Sequence, residues 1–224
     1  MRRLRPHSLS IFFAVLFVAT LVGQSFAGLA AFNHDQLAHG GEPTTYWSLV
    51  TSSAFVVDVA ENWQSEFLQF FVFILATIWL VQAGSGESKK QGDEGIGTER
   101  DQFIGPHALK DSPRWARLGG WRAVVYSNSL LLVMGAIFVF SWWTQSVAGQ
   151  VVYNQEQAEH GQPDVTWLGY VASADFWNRT LQNWQSEFLA VGCMVAFSIF
   201  LRQRGSSESK PVGTPHHTAS VESD

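Results

Sequence analysis

Two glutamates, Glu66 and Glu187, occupy the same place in two copies of the heptapeptide NWQSEFL, at residues 62–68 and 183–189. A long apolar run follows each copy, so each carboxyl group stands at the mouth of a hydrophobic segment. Ionisable side chains inside membrane segments are costly and often belong to proton or ion pathways. The repeated glutamate therefore has two interpretations, a structural polar contact or a proton- or cation-linked site.

Further polar residues are expected at the same depth. The motif QS-x-AG closes the apolar run that precedes each loop, at 24–28 and 145–149. We predict that it meets NWQSEFL in a polar cluster of the outer leaflet. The cluster comprises Glu66, Glu187, Gln64, Gln185, Ser65, Ser186, Gln24, Ser25, Gln145 and Ser146. The structural interpretation adds close helix packing at Gly28 and Gly149, interface anchoring by Trp63 and Trp184, and loop bonding by Asn62 and Asn183.

Other chemistries have less support. His34, His39, Glu156 and His160 could ligate a metal, but only the second copy spaces Glu and His four residues apart. The single cysteine, Cys193, has no histidine near it in sequence, and no nucleophile-elbow or phosphate-loop motif occurs. We therefore expect neither an enzyme nor a cofactor. The charge pattern also lacks the basic patch of nucleic-acid-binding proteins.

Four windows nearly free of charge must position these residues: 9–31, 67–81, 130–148 and 188–201. A membrane core needs about 20 helical residues, which the first and third windows supply unaided. Apolar residues spaced four apart extend the other two helices outward, to about 54–82 and 174–203, with Ser53 and Ser173 as N-caps. A cleaved signal peptide is the alternative for the first window. The return of its ending, QSFAG, in mid-chain argues against cleavage.

The basic residues are sorted to one side of these windows. All 14 Lys and Arg residues except Arg179 lie at the N-terminus, between the second and third windows, or in the tail. Because short cytoplasmic loops are rich in Lys and Arg, both termini and the central linker are predicted to be cytoplasmic. The segment RWARLGGWR, residues 114–122, places Trp among arginines and is expected to rest on the inner membrane surface.

The two halves of the chain align, with Glu187 lying 121 positions after Glu66. GSGESK at 84–89 matches GSSESK at 205–210, and Trp47 pairs with Trp167 if a one-residue gap is allowed. Two units of one orientation predict an all-α fold, a four-helix transmembrane bundle built from two parallel-repeat helical hairpins. The expected parts are a first transmembrane hairpin repeat at 1–89, a cytoplasmic linker at 90–120, a second hairpin repeat at 121–204 and a disordered cytoplasmic tail at 205–224.

Together, QS-x-AG, NWQSEFL and GS-x-ESK resemble a family of small bacterial integral membrane proteins classed as a domain of unknown function. The resemblance covers nearly all of the chain except the linker and the tail. It implies a bacterial inner membrane and the duplicated architecture, but no site. We expect a multi-pass protein with a structural or partner-binding role, whose partners are the lipid bilayer and a second copy or another membrane protein. The alternative is a small proton- or cation-linked transporter or channel component that uses Glu66 and Glu187.

Overall fold

The computed structural model describes residues 5–219, and this part of the chain contains eight α-helices and no strand. In chain order the helices are α1 (Ser8–Ala38), α2 (Tyr46–Val50), α3 (Ser53–Trp79), α4 (Arg114–Leu118), α5 (Gly120–Ser127), α6 (Ser129–Glu159), α7 (Trp167–Val171) and α8 (Ala174–Phe200). Two 3-10 turns, Arg5–His7 and Gly105–His107, lie outside them. The predicted all-α fold class is confirmed.

The helix boundaries repeat along the chain. The helices α1, α2 and α3 recur as α6, α7 and α8, and each begins and ends 121 positions after its counterpart, as from Ser8 to Ser129. The duplication inferred from short motifs therefore extends to where every long helix starts and stops. Both α3 and α8 end three residues before their predicted ends at 82 and 203.

The one-residue gap predicted in the outer loops is wrong. The Asn33 side chain donates to the Thr44 carbonyl at 3.1 Å and accepts the Thr44 N–H at 2.7 Å. Asn154 forms the same pair with Val165, at 3.1 and 2.9 Å. Both residues of the second pair follow those of the first by 121 positions, so no gap separates the copies. The gap was predicted because Trp47 was paired with Trp167. The equivalent hydrogen bonds of Asn33 and Asn154 show that the two loops align without a gap.

The same shift corrects one predicted N-cap. Ser173 accepts the Phe176 N–H at 3.2 Å and caps α8 as predicted. In the first copy the acceptor for the Phe55 N–H, also at 3.2 Å, is Ser52. Ser53 is instead the first residue of α3. A serine before a helix caps it by accepting an otherwise unpaired N–H of the first turn, and Ser52 holds that position.

The helices α1 and α6 end in the same way. Gly40 and Gly161 follow their last turns with φ of 76° and 67°, a left-handed conformation that glycine adopts without steric cost. Just before them, the Nδ1 atoms of His39 and His160 lie 3.0 and 2.7 Å from backbone carbonyl oxygens four residues earlier. Within residues 5–219, no three His, Cys, Asp or Glu side chains gather as a metal site would require.

Residue contacts divide the chain into two compact units. The first comprises residues 1–60 and 144–172, and so contains α1, α2, α7, the first part of α3 and the last part of α6. The second comprises residues 61–143 and 173–224, and so contains α4, α5, α8, most of α3 and the first part of α6. Each unit contains residues from both halves of the duplicated sequence.

Within the described part of the chain, two helices are by length and composition apolar enough to cross a membrane. These are α1 and α6, whose most apolar segments have mean hydropathies of 2.1 and 1.7. Little of either segment is buried in the protein, 6% for α1 and 17% for α6. Among the described residues, α3 and α8 do not meet the same criterion, although they contain the two shorter apolar windows.

Candidate functional site

The first copy of NWQSEFL lies on α3 and is buried at its centre. The Gln64 side chain is 0% exposed and Ser65 is 2% exposed. The indole Nε1 of Trp184, in the α8 copy, donates to Gln64 Oε1 at 2.7 Å. This bond joins the tryptophan of one copy to the glutamine of the other. Among the described residues, Gln64 Nε2 has no hydrogen-bond partner.

The second copy of the heptapeptide has different surroundings. Gln185 and Ser186 on α8 are exposed. Locally the copies are alike, since Ser65 and Ser186 donate to the backbone carbonyls three residues earlier at 3.0 and 2.8 Å. Asn183 Nδ2 donates to the Arg179 carbonyl at 3.0 Å, within its own helix and not in a loop. The difference between the copies is therefore one of tertiary contact.

The two repeated glutamates both lie in the second unit. Glu66 is exposed on α3 and Glu187 is half-buried on α8, and their charges are close enough to interact. Two nearby carboxylates repel each other when both are ionised.

An ion pair between α8 and α3 was not predicted from the sequence. Arg179 Nη1 on α8 lies 2.9 Å from Glu61 Oε1 on α3, and Arg179 Nε lies 3.6 Å from Asp175 Oδ2. Glu61 is the more buried partner, with 14% of its side chain exposed against 33% for the arginine. At the equivalent positions of the other copies stand Asp58 and Gln182. These departures from the repeat were the signal that could have revealed the pair.

Aromatic rings hold Trp184 in place. They surround Trp142 of α6, whose ring centroid lies 5.8 Å from Phe138, 5.9 Å from Phe176 and Trp177, and 6.0 Å from Trp184. Trp142 Nε1 also donates to Thr180 Oγ1 on α8 at 3.5 Å. Each aromatic pair contributes about 0.5–1.5 kcal/mol beyond simple burial. The cluster therefore fixes α6 against α8 and directs the Trp184 indole toward Gln64.

In the first unit, the serines of QS-x-AG form hydrogen bonds with the first residues of the short helices α2 and α7. Ser25 Oγ lies 3.0 Å from the Tyr46 hydroxyl at the start of α2. At the equivalent position, Trp167 Nε1 at the start of α7 donates to Ser146 Oγ at 3.0 Å. Tyr46 is thus the counterpart of Trp167. The predicted gap concealed this correspondence, so both aromatic partners were missed.

The glycines of the same motif also face the short helices. A Cβ on Gly149 would lie 3.0 Å from the Cε1 and Cζ atoms of Tyr170 in α7, a residue that is 1% exposed. A Cβ on Gly28 would lie 3.8 Å from Leu49 Cδ2 in α2, an ordinary contact. The absence of a side chain is needed at Gly149 and not at Gly28.

The structure thus distributes the predicted cluster between two places. Gln64, Glu66, Glu187 and Trp184 lie in the second unit, where Trp184 is hydrogen-bonded to Gln64. Ser25, Ser146, Gly28 and Gly149 contact α2 or α7 in the first unit, where Gln24 is exposed and Gln145 is 0% exposed. Trp63 is 40% exposed and Asn62 is exposed. One polar cluster that includes all these residues stays a prediction.

The repeated GS-x-ESK motif forms a cap after α3 and again after α8. Lys89 Nζ donates to the Gly95 carbonyl at 2.6 Å, and Lys210 Nζ donates to the equivalent His216 carbonyl at 3.3 Å. In both caps a serine hydroxyl accepts a backbone N–H six residues earlier at 2.8 Å. A lysine near a helix C-terminus stabilises carbonyls that have no intrahelical partner.

The second cap does more than the first. Lys210 is 5% exposed, and its ammonium group also donates to the carbonyls of Gly84 and Thr218. The hydroxyls of Ser85 and Ser198 lie 2.8 Å apart. These bonds tie the cap of the second copy to that of the first. Burial, followed by repulsion from Arg202, lowers the pKa of Lys210.

The predicted disordered tail begins in this cap. Residues 205–219 form turns against the end of α8, where Arg202 Nη2 donates to the Thr214 carbonyl at 3.0 Å. The prediction for residues 220–224 lies outside the described residues. A cavity of about 890 Å³ follows the second cap over residues 203–212 and contains none of the predicted site residues.

The chain matches the model of a known protein family. The model of one family, described as a domain of unknown function (DUF6766), matches residues 1–221, so the chain belongs to that family. Searches of curated proteins and of solved structures found no match.

Proposed function

We propose that this member of the family is a four-helix integral protein of a bacterial inner membrane, with a structural or partner-binding role and no catalytic activity. In this proposal α1, α3, α6 and α8 cross the bilayer, and both termini and the central linker are cytoplasmic. The placement of all basic residues except Arg179 outside the two outer loops supports this orientation. The family match adds no activity of its own.

The observation that carries the proposal is the apolar surface of α1. Leu9 is 69% exposed, Phe12 57%, Val15 62% and Phe26 59%, so large side chains point outward along most of the helix. Exposed apolar surface costs about 25 cal/mol per Å² in water, and a continuous apolar surface of this kind marks contact with lipid or a partner. Lipid tails around α1 would remove that cost.

The same pattern supports membrane spans at α3 and α8. Phe70 and Trp79 of α3 are 46% and 55% exposed, and Leu189 and Phe197 of α8 are 64% and 54% exposed. Gln64 of α3 turns inward, whereas Gln185 of α8 is exposed. With 27 residues each, these helices extend about 40 Å at 1.5 Å per residue, enough for a core of about 30 Å. Their polar side chains account for the lower hydropathy.

Cysteine labelling in cells tests the topology. After Cys193→Ser removes the only cysteine, Gln162→Cys marks an outer loop and Ile96→Cys marks the linker. A membrane-impermeant maleimide added to spheroplasts should label position 162 directly and position 96 only after permeabilisation. The reverse pattern, or recovery of the protein without detergent in the soluble fraction, would overturn the proposal.

The repeated glutamates Glu66 and Glu187, which lie in the same unit and interact electrostatically, favour one second candidate, a proton- or cation-linked transporter or channel component. Four helices leave little room for a pathway, so transport would call for a homodimer or another membrane protein. The test compares proton flux into vesicles for the wild type, Glu66→Gln/Glu187→Gln and a control, Glu94→Gln/Glu99→Gln, which removes two carboxylates from the linker. Flux lost only in the first variant, with folding intact, supports transport; no flux in the wild type supports the structural role.

A further inference from the structure

We propose that α4 and α5 together form a docking surface for the anionic phospholipids of the cytoplasmic leaflet. The inference rests on the proposed function, since it places both helices on the inner side of the bilayer. It goes further by identifying the lipid chemistry, the side chains that enter the membrane and those that bind headgroups.

The two short helices present large apolar side chains on one surface. Trp115 and Leu118 of α4 are 41% and 53% exposed, and Trp121 and Val124 of α5 are each 63% exposed. The buried members are small, as with Ala123 at 5% exposure. Residues three apart on a helix lie on one face, so each helix contributes a pair. Large side chains outward and small ones inward are the reverse of a soluble helix hairpin.

Three arginines accompany this apolar surface. Arg114, Arg117 and Arg122 are all exposed. The Arg122 guanidinium lies 5.0 Å from the centroid of the Trp121 ring, and the rings of Trp115 and Trp121 meet edge to face at 5.9 Å. We call the following seven residues of α4 and α5 the basic aromatic surface: Arg114, Trp115, Arg117, Leu118, Trp121, Arg122 and Val124. Tryptophan favours the headgroup level of a bilayer, and arginine binds phosphate through paired N–H donors.

The position of the basic aromatic surface next to α6, a proposed membrane span, indicates that lipid is what binds this surface. The helix α5 ends at Ser127 and α6 begins at Ser129. The surface is thus joined, through a single residue, to one of the two helices apolar enough to cross a membrane. The cytoplasmic leaflet is negatively charged and attracts basic segments next to a span. Charge and position together match an anionic lipid surface.

A single fluorophore in the full-length protein tests the proposal. Val124→Cys in the Cys193→Ser chain receives an environment-sensitive dye, and the protein is reconstituted in phosphatidylcholine vesicles with or without phosphatidylglycerol. We expect blue-shifted emission and quenching by lipid-tail nitroxides when phosphatidylglycerol is present. Removing all three arginines as Arg114→Gln/Arg117→Gln/Arg122→Gln should lower the ratio of immersed to free dye by about fivefold per arginine.

A charge-matched control separates this surface from general attraction. Lys90→Gln/Arg100→Gln/Lys110→Gln removes three exposed linker charges and should leave the dye response unchanged. Equal emission in both lipid mixtures, or an equal loss in the control, overturns the proposal. Flotation with phosphatidylcholine vesicles is measured in parallel. A protein that floats while its dye stays in water refutes only the docking surface, whereas one that does not float refutes the membrane proposal itself.

Discussion

The two copies of NWQSEFL have the same seven residues and the same helical conformation, yet they are buried to very different extents. In the α3 copy, Gln64 is inaccessible to solvent and accepts the Trp184 indole N–H. In the α8 copy the equivalent glutamine, Gln185, is exposed. Identical strings have identical propensities, so the cause lies in what surrounds each helix. The rings of α6 pack against the tryptophan of the α8 copy and hold it over α3.

The comparison shows that duplication supplied two equivalent sets of helices whose surroundings differ in the tertiary structure. Substitutions outside the shared motif made this possible. The Arg179–Glu61 pair joins α8 to α3, and the matching positions of the repeat hold different residue types, Asp58 and Gln182. Matched substitutions in the two copies can therefore measure how far their roles have diverged.

The largest effect is expected at the buried glutamine. Gln64→Leu leaves the Trp184 indole N–H without its acceptor, which costs about 1–3 kcal/mol, whereas Gln185→Leu on the exposed face should change stability little. Thermal unfolding in detergent, followed by circular dichroism, measures both. Adding Trp184→Phe to Gln64→Leu should recover part of the loss. Equal effects of the two leucine substitutions would contradict the asymmetry.

The glycines of QS-x-AG give a second matched pair. Gly149→Ala forces a methyl group against the buried Tyr170 ring and should cost about 1–3 kcal/mol. Gly28→Ala meets only an ordinary contact and should gain about 0.5–1 kcal/mol from helix propensity. Opposite shifts of the unfolding midpoint are expected. Shifts of the same sign would mean that the two glycines have equivalent surroundings.

The ion pair should contribute less. Glu61→Gln removes the more buried partner of Arg179 and should cost about 1 kcal/mol, the upper end of the range measured for exposed ion pairs. Asp175→Asn, which removes the longer contact on the same arginine, should cost less than about 0.5 kcal/mol. The free energies of unfolding of the two variants, measured with denaturant at low and high salt, separate the two contributions. A larger loss at Asp175 would refute the importance of the α8–α3 pair.

The smallest effect concerns the two caps. Burial, followed by the charge of Glu208, raises the pKa of Glu87 above its usual 4.5. The folded protein therefore holds this proton more tightly than the unfolded chain. Stability should decline as the pH rises from 4.5 through the raised pKa. Glu87→Gln should remove that decline, which unfolding midpoints across the acidic range would show, whereas Glu94→Gln should leave it in place. A wild type without the decline would refute the cap contact.

Much of the fold could be read from local patterns. Apolar windows, four-residue spacing and the repeat predicted the long helices, including the start of α8 at residue 174 and its cap by Ser173. In the loops that follow α1 and α6, residue identity alone predicted a wrong alignment. There a hydrogen bond from Asn33 to the Thr44 backbone shows which residues of the two copies are equivalent. That bond connects residues eleven positions apart, a distance beyond the reach of a periodicity argument.

The candidate site was predictable in membership but not in arrangement. The repeated glutamates and the buried Gln64 belong to motifs visible in the chain, whereas Trp142 belongs to no motif and Glu61 is marked only by its difference from Gln182 in the other copy. They matter because α6 and α3 bring them to α8. The cross-links between the two caps are equally non-local, since Lys210 reaches the Gly84 carbonyl across 126 positions.

The amino-acid order alone thus indicated where the four long helices lie, that the sequence is duplicated and how its basic residues are sorted. Those properties depend on short-range propensity and hydrophobic patterning, which identical strings share. Which copy of each motif is buried was decided only in three dimensions. A helix cannot specify its own neighbours, and the same glutamine is buried on α3 and exposed on α8 because different side chains pack against it.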